Sequence, residues 1–217
     1  MSLNLSNNIP SEEEMLCVLR QRHGEARQEK ISAATVAVCG LGGLGSNIAV
    51  SLARAGIGKL ILIDFDRVDV SNLHRQQYKT SQVGISKTEA LAENLQEIAP
   101  YLTLETHNIR VTELNALSLI QPADIICEAF DNAAAKAMLT NMVLTKMPEK
   151  YLVAASGMAG FGSANEIRTR RVSERFYLCG DGVSDVEDGI GLVSSRVMLC
   201  AAHQAHTVLR ILTGEVE

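Results

Sequence analysis

The segment Gly40-Leu41-Gly42-Gly43-Leu44-Gly45-Ser46 stands between a short apolar run and a stretch that reads as a helix. Gly40, Gly42 and Gly45 have the spacing of a glycine-rich nucleotide loop, with Gly43 inside it. The first glycine allows a tight turn, the second lets backbone approach a phosphate, and the third lets the helix lie close to the sheet. Free N–H groups at the helix start, together with the helix dipole, then favour an anion. Asp64 ends the next apolar run, 19 residues after Gly45, where an acid accepts hydrogen bonds from ribose hydroxyls. This set does not separate a dinucleotide cofactor from ATP, and a purely structural glycine turn is the bland alternative.

Other residues speak to that choice. After Asp64 the chain runs Asp66-Arg67-Val68-Asp69-Val70-Ser71-Asn72-Leu73-His74-Arg75-Gln76-Gln77. A polar segment directly after a buried strand should overhang the ligand crevice, so Asp66, Asn72, Arg75 and Gln76 are candidate nucleotide contacts. Arginine offers planar donors suited to phosphate oxygens. Lys87, at the start of a later helix, can meet a phosphate as a point charge; its plainer reading is an exposed helix lysine. Asp131 and Asn132 follow another apolar run. Asp131 can hold Mg²⁺ beside phosphates, or it can simply cap a helix.

These residues need elements to position them. Buried strands are predicted at 35–39, 60–63, 124–128 and 151–155, and a further strand at 102–106. Helices are predicted at 46–55, 81–99, 112–120 and 132–146, giving a doubly wound, mostly parallel α/β sheet. The N-terminal residues 1–30 form a helical extension, with a capping box at Ser11 and Glu14. Segments 166–170 and 175–179 pair as a short antiparallel extension near the C-terminus. A loop bracketed by Gly180, Gly182, Gly189 and Gly191 leads into a closing helix at 193–212. One domain over residues 1–217 is expected.

The 217 residues are 47% hydrophobic and 21% charged, which suits a globular chain. A net charge of -5 gives no electrostatic reason to expect nucleic acid. No apolar run approaches the roughly 18 residues of a membrane span. Cys17, Cys39, Cys127, Cys179 and Cys200 are odd in number and widely spaced, so a reducing, cytoplasmic setting is expected.

The glycine loop, Asp64, Ser71-Asn72-Leu73-His74-Arg75-Gln76, Lys87 and Asp131-Asn132, taken in register, resemble the E1-like family. That family includes the ThiF and MoeB adenylyltransferases and the adenylation half of ubiquitin-activating enzymes. The likeness runs from about residue 30 to residue 160, and the tail Ala201-Ala202-His203-Gln204-Ala205-His206 is similar to short ThiF-type members. The resemblance implies that ATP and Mg²⁺ are used to adenylate the Gly-Gly carboxylate of a small ubiquitin-like sulfur carrier, a thiamine-pathway carrier fitting best. It assigns Asp64 to ribose, Asn72, Arg75 and Lys87 to the triphosphate, and Asp131 to Mg²⁺. It also implies a homodimer, with an N-terminal arginine completing the site; Arg20 and Arg22 are the candidates, Arg22 first. The carrier is expected to be another polypeptide, because this chain ends Thr213-Gly214-Glu215-Val216-Glu217.

The sequence departs from the family where many members place two Cys-x-x-Cys pairs on a structural zinc. Neither pair is present, and no structural zinc is expected; Cys179, Cys200, His203 and His206 are the one alternative set. Cys179 is the best-placed cysteine for a reactive thiol, its plainer and preferred reading being an inert strand-end residue, whereas Cys39 and Cys127 read as core. Two rivals stand beside this reading: an NAD-dependent oxidoreductase on the same fold, and a nucleotide-binding module without catalysis.

Overall fold

The computed structural model describes residues 9–186 and 191–215. Two helices open the chain, α1 (Glu12–His23) and α2 (Glu25–Ala33), followed by β1 (Thr35–Cys39), α3 (Gly43–Arg54) and β2 (Lys59–Asp64). Then come α4 (Lys87–Ile98), β3 (Thr103–Asn108), α5 (Ala116–Ile120), β4 (Ile125–Glu128), α6 (Ala133–Lys146) and β5 (Tyr151–Ala155). The antiparallel pair β6 (Arg168–Ser173) and β7 (Phe176–Gly180) precedes the closing helix α7 (Ser194–Thr213).

The strands form one sheet in the order β3-β2-β1-β4-β5-β7-β6. All neighbours are parallel except β6 and β7. The chain reverses direction across the sheet between β1 and β4, so the loops after these two strands flank the switch point, where open α/β sheets bind ligands. Alternation along β1 assigns Val36 and Val38 to one core, with α3, α4 and α7. Ala37 and Cys39 go to the other, with α5 and α6. Leu60, Ile61, Leu62 and Ile63 of β2 are fully buried, and each contributes roughly 1.5–3 kcal/mol by leaving water. Among the described residues no helix is long and apolar enough to cross a membrane.

The predicted α/β architecture is present, including the antiparallel pair. Several boundaries differ. The N-terminal extension is two helices rather than one, because Gly24 takes φ 86° between them. Its predicted capping box is there: Glu14 N donates to Ser11 Oγ at 3.3 Å, and Ser11 N donates to Glu14 Oε2 at 2.7 Å. The helix predicted over 81–99 begins only at Lys87, capped by Ser86, since 80–82 is a separate 3₁₀ turn ending before Gly84. The helix predicted over 112–120 is confined to Ala116–Ile120. Conversely, α3 starts three residues earlier than predicted, inside the glycine loop. Of the predicted loop bracketed by Gly180 and Gly191, Gly189 lies outside the described residues.

Candidate nucleotide site

The loop from β1 into α3 is shaped by contacts that only glycine permits. Gly40 has φ 91°, and a Cβ there would sit 2.7 Å from the Ala129 carbonyl oxygen of the neighbouring strand-end loop. A Cβ on Gly45 would lie 1.8 Å from the Gly40 carbonyl oxygen, so α3 packs directly on the turn. At Gly42 the nearest atom to such a Cβ is Gln76 Nε2 at 3.8 Å, which leaves the backbone approachable. Gly42 caps α3 without any side-chain hydrogen bond, so the N–H groups of the first turn keep their capacity for an anion.

Asp64 is buried and wires this loop in place. Its Oδ2 accepts from Leu41 N at 2.6 Å, and its Oδ1 accepts from Asp66 N at 2.8 Å. Each carboxylate oxygen retains a lone pair for a further donor. Tyr78 completes the brace, its hydroxyl donating to the Leu41 carbonyl at 2.7 Å. Burial, then the charges of Asp64 and Asp66, push the Tyr78 phenol well above its usual range, so it stays a donor.

The segment after β2 is stitched onto α3. Asn47 Nδ2 donates to the Gly43 and Arg75 carbonyls at 2.6 and 3.2 Å, and Gln77 Nε2 donates to Asn47 Oδ1 at 2.7 Å. Ser46 Oγ donates to the Gly42 carbonyl and accepts from Gln77 N. These bonds set Arg75 beside the loop: a Cβ on Gly43 would be 3.5 Å from Arg75 Cγ. Asn72 Oδ1 accepts from Arg75 Nη2 at 3.0 Å and from Gln76 Nε2 at 2.9 Å. Arg75 Nε and Gln76 Oε1 are buried without a hydrogen-bond partner. Unpaired buried polar atoms are costly, so both are poised for a polar ligand. Partial burial lowers the Arg75 pKa, while the nearby Asp131 charge opposes that shift.

Lys87 is buried, unlike its plainer reading as an exposed helix lysine. Its Nζ donates to Asp66 Oδ2 at 2.8 Å, and its backbone N donates to the Asp66 carbonyl. Asp131 is exposed on the loop after β4, and the capping role falls to Asn132, whose Oδ1 accepts from Ala135 N. Beneath this loop Glu128 is buried against Lys136, with Nζ–Oε2 at 2.9 Å; burial raises the Glu128 pKa and Lys136 counters it. Ser46, Asn47, Tyr78 and the Glu128–Lys136 pair are thus structural parts of the site that sequence reasoning missed. Their one sequence signal is proximity to the glycine loop and strand ends.

The structure therefore brings together Gly40, Gly42, Gly43, Gly45, Asp64, Asp66, Asn72, Arg75, Gln76 and Lys87 around the switch point, with Asp131 near enough for its charge to bear on Arg75. It does not bring Arg20 and Arg22 there. Arg20 pairs with Glu13 at 3.1 Å, and Arg22 is exposed on α1. The neighbouring Leu19 lies against Gly56, at the opposite end of α3 from the glycine loop. Cys179 is buried beside Thr169 Oγ1 at 3.5 Å, and burial raises its thiol pKa. Cys179 is therefore an enclosed, protonated side chain, in line with its plainer reading as an inert strand-end residue. Among the described residues no group of three or more His, Cys, Asp or Glu side chains is placed to hold a metal.

Farther along the strand ends lies an open cavity of about 680 Å³, reached by Phe161, Arg168, Arg170, Asp181 and Arg196. Arg196 is buried and spans it, donating to the Ser163 carbonyl at 2.9 Å and to Asp181 Oδ2. Asp181 in turn accepts from Val183 N and Ser184 N. Burial pushes the Asp181 carboxyl up, but those N–H groups and Arg196 outweigh it and hold the acid below the usual aspartate range.

The sequence profile of the ThiF family matches residues 17–217. The chain is 31% identical over 195 residues to the adenylyltransferase and sulfurtransferase UBA4 of Lodderomyces elongisporus, covering 86% of this chain and 42% of that one. It is 40% identical over 110 residues to the sulfur carrier protein adenylyltransferase of Thermus thermophilus, covering 50% of this chain and 41% of the relative. The chain thus spans less than half the length of these curated relatives. In fold it is similar to the tRNA N6-threonylcarbamoyladenosine dehydratase TcdA of E. coli, solved with ATP. The TM-score is 0.85 at 21% identity, with 95% of this chain and 98% of that one covered.

Proposed function

The chain belongs to the ThiF family, and on that premise we propose that it adenylates the C-terminal carboxylate of a small ubiquitin-like sulfur carrier at the expense of ATP. The observation that carries this reading is the pairing of an uncapped α3 N-terminus with Arg75, whose buried Nε has no partner. A carboxylate oxygen of the carrier attacks the α-phosphorus of ATP. The bond from that phosphorus to the bridging oxygen breaks, and pyrophosphate leaves with the electron pair. Both reactants are anions, so the site must supply positive charge where they meet.

Each residue has a distinct part. Asp64 accepts from the ribose hydroxyls with its spare lone pairs. The first turn of α3 and Arg75 Nε receive phosphate oxygens, and Lys87 uses donors left over from its bond to Asp66. Asp131 and the phosphates would hold Mg²⁺, an oxygen-seeking ion that neutralises phosphate charge when bound. The exposed Asp131 carboxylate, whose charge bears on Arg75, is chemically suited to that ion. The cavity at Phe161, Asp181 and Arg196 would take the carrier tail, since it opens at the same edge of the sheet. We assign the carrier to the ThiS-like, thiamine-pathway class and the active form to a homodimer. In such a dimer Arg22 or Arg20 would reach the site of the partner, because neither reaches its own.

The test is Mg²⁺-dependent exchange of pyrophosphate into ATP with a carrier ending in Gly-Gly. The expected result is exchange that disappears when the tail is removed or when Asp131→Ala is introduced. Absence of exchange with tight ATP binding would point to a non-catalytic module, and tight NAD binding would point to an oxidoreductase.

A further inference from the structure

A second cavity, of about 540 Å³, lies between β6, β7 and α7. Its charged and hydroxyl-bearing lining comes from Thr169, Arg171, Tyr177, His203, Thr207 and Arg210, with His206 beside them. On α7, His203, His206, Thr207 and Arg210 follow at helical spacing and share one face. On β6, Thr169 and Arg171 alternate onto one face of the sheet, and Tyr177 sits directly across from Arg171. Gly43 of the nucleotide loop faces Val197 on the same helix, and His206 lies nine residues further, about 13 Å along the axis. The cavity is therefore separate from the nucleotide site.

Two arginines and two histidines line a volume of ligand size, and no acid is among the described residues lining it. That is unusual in a chain whose net charge is -5. The two arginines are steadied through backbone: Arg171 Nη2 donates to the Glu174 carbonyl at 3.1 Å, and Arg210 Nη2 donates to the Glu215 carbonyl. The Glu215 carboxylate is turned to Arg27 instead, at 2.6 Å. Each guanidinium keeps further donors. His203 Nδ1 is held by Thr169 Oγ1 at 3.0 Å, which fixes the ring. Tyr177 is only 4% exposed, and its buried hydroxyl has no hydrogen-bond partner. Burial, and then the neighbouring His206, disfavour a charge on His203, as expected where positive groups crowd without a counter-ion.

We propose that this cavity is a second oxyanion site, taking a phosphate group either free or carried on a nucleoside. Arg171 and Arg210 supply charge-assisted donors from the two walls. The fixed His203 ring, His206 and the two threonine hydroxyls complete the cradle, and the Tyr177 hydroxyl gains the partner it lacks.

Ring resonances of His203 and His206 read this cavity directly, apart from any binding at the nucleotide loop. The experiment titrates the protein with inorganic phosphate and, separately, with AMP, each against chloride at matched ionic strength. The expected result is a saturable shift of the His203 and His206 rings with at least one of the two, the tighter one naming the source. In the Arg171→Ala/Arg210→Ala variant that affinity should fall roughly tenfold or more, by loss of charge-assisted hydrogen bonds. Tyr177→Phe, which keeps the packing, should weaken it several-fold. Ring shifts no larger than those given by chloride, or equal affinity in wild type and the double arginine variant, would overturn the proposal.

Discussion

Arg75 and Arg196 each bury an Nε without a partner, yet they are held in opposite ways. Arg75 leans on Ser71 and Asn72, both within four residues of it. Arg196 reaches Ser163 and Asp181, 33 and 15 residues away. The first arginine is a local device: a short loop after β2 carries it, and its release disturbs little else. The second ties the loop before β6 to the segment after β7, so its release loosens the whole cavity wall. The side-chain bonds of Arg75 thus go to neighbours in sequence, and those of Arg196 to strangers.

The largest effect that could break this contrast concerns catalysis. Arg75→Ala should lower carrier-dependent pyrophosphate exchange on the order of 10²–10³, the usual cost of one electrostatic contact to the reacting group. Its unfolding free energy in urea should change by less than about 1 kcal/mol. A variant that unfolds instead would show that Arg75 is a structural clamp too. Arg196→Met should behave the other way. It leaves Asp181 enclosed without its cation, and breaking such a pair costs about 3 kcal/mol, readable as an earlier urea midpoint.

Asp181 adds a pH signature to that test. Its pKa is lowered in the folded state, so the stability it contributes is present above the unfolded aspartate pKa of about 3.9 and is lost as pH falls through the folded value. The stability gap between wild type and Asp181→Asn should therefore be constant above about pH 5 and narrow only in stronger acid. Circular dichroism melts across that range check this, and a gap that narrows near neutrality would remove Asp181 from the clamp.

Gly40→Ala comes next in size. It combines a left-handed φ with a contact to the Ala129 carbonyl, and strain of this kind costs about 1–3 kcal/mol. ATP affinity, measured by calorimetry, should fall alongside stability, because the turn aims the first helical N–H groups. The smallest effect belongs to Arg168→Ala/Arg170→Ala. These exposed side chains should change stability by no more than about 0.5 kcal/mol. Under the proposed function the same pair should raise the carrier KM at low salt, and the effect should fade as salt screens it. A KM increase that ignores salt would mean that the arginines shape the cavity rather than attract the carrier.

The same contrast explains what the sequence made legible. Apolar runs at 35–39 and 60–63 announced the parallel sheet, because buried strands have few other readings. The loop motif, Asp64 and Arg75 were readable because residue type and position at or just after the end of a buried strand announce their chemistry, although Asp64 is anchored on Leu41, 23 residues earlier. Lys87 illustrates the limit: a lysine at a helix start usually points to water, and only its partner Asp66, 21 residues earlier, draws it inside. Arg196 and Asp181 gave no local sign at all. Their role arises when two loops meet, and no periodicity encodes that meeting. Helix boundaries slipped for a related reason, since Gly24 and the 3₁₀ turn at 80–82 interrupt patterns that hydrophobic spacing alone would continue.

The edge strand β6 has a consequence for assembly. It exposes Arg168, Arg170 and Arg171 along a sheet margin with unpaired backbone groups. If two copies tried to extend the sheet by joining these margins, arginine would stand against arginine across the seam, and repulsion would oppose every backbone bond gained. The margin is closed to its own kind while remaining open to an acidic strand. Symmetric pairing of two copies through the β6 margin is therefore disfavoured.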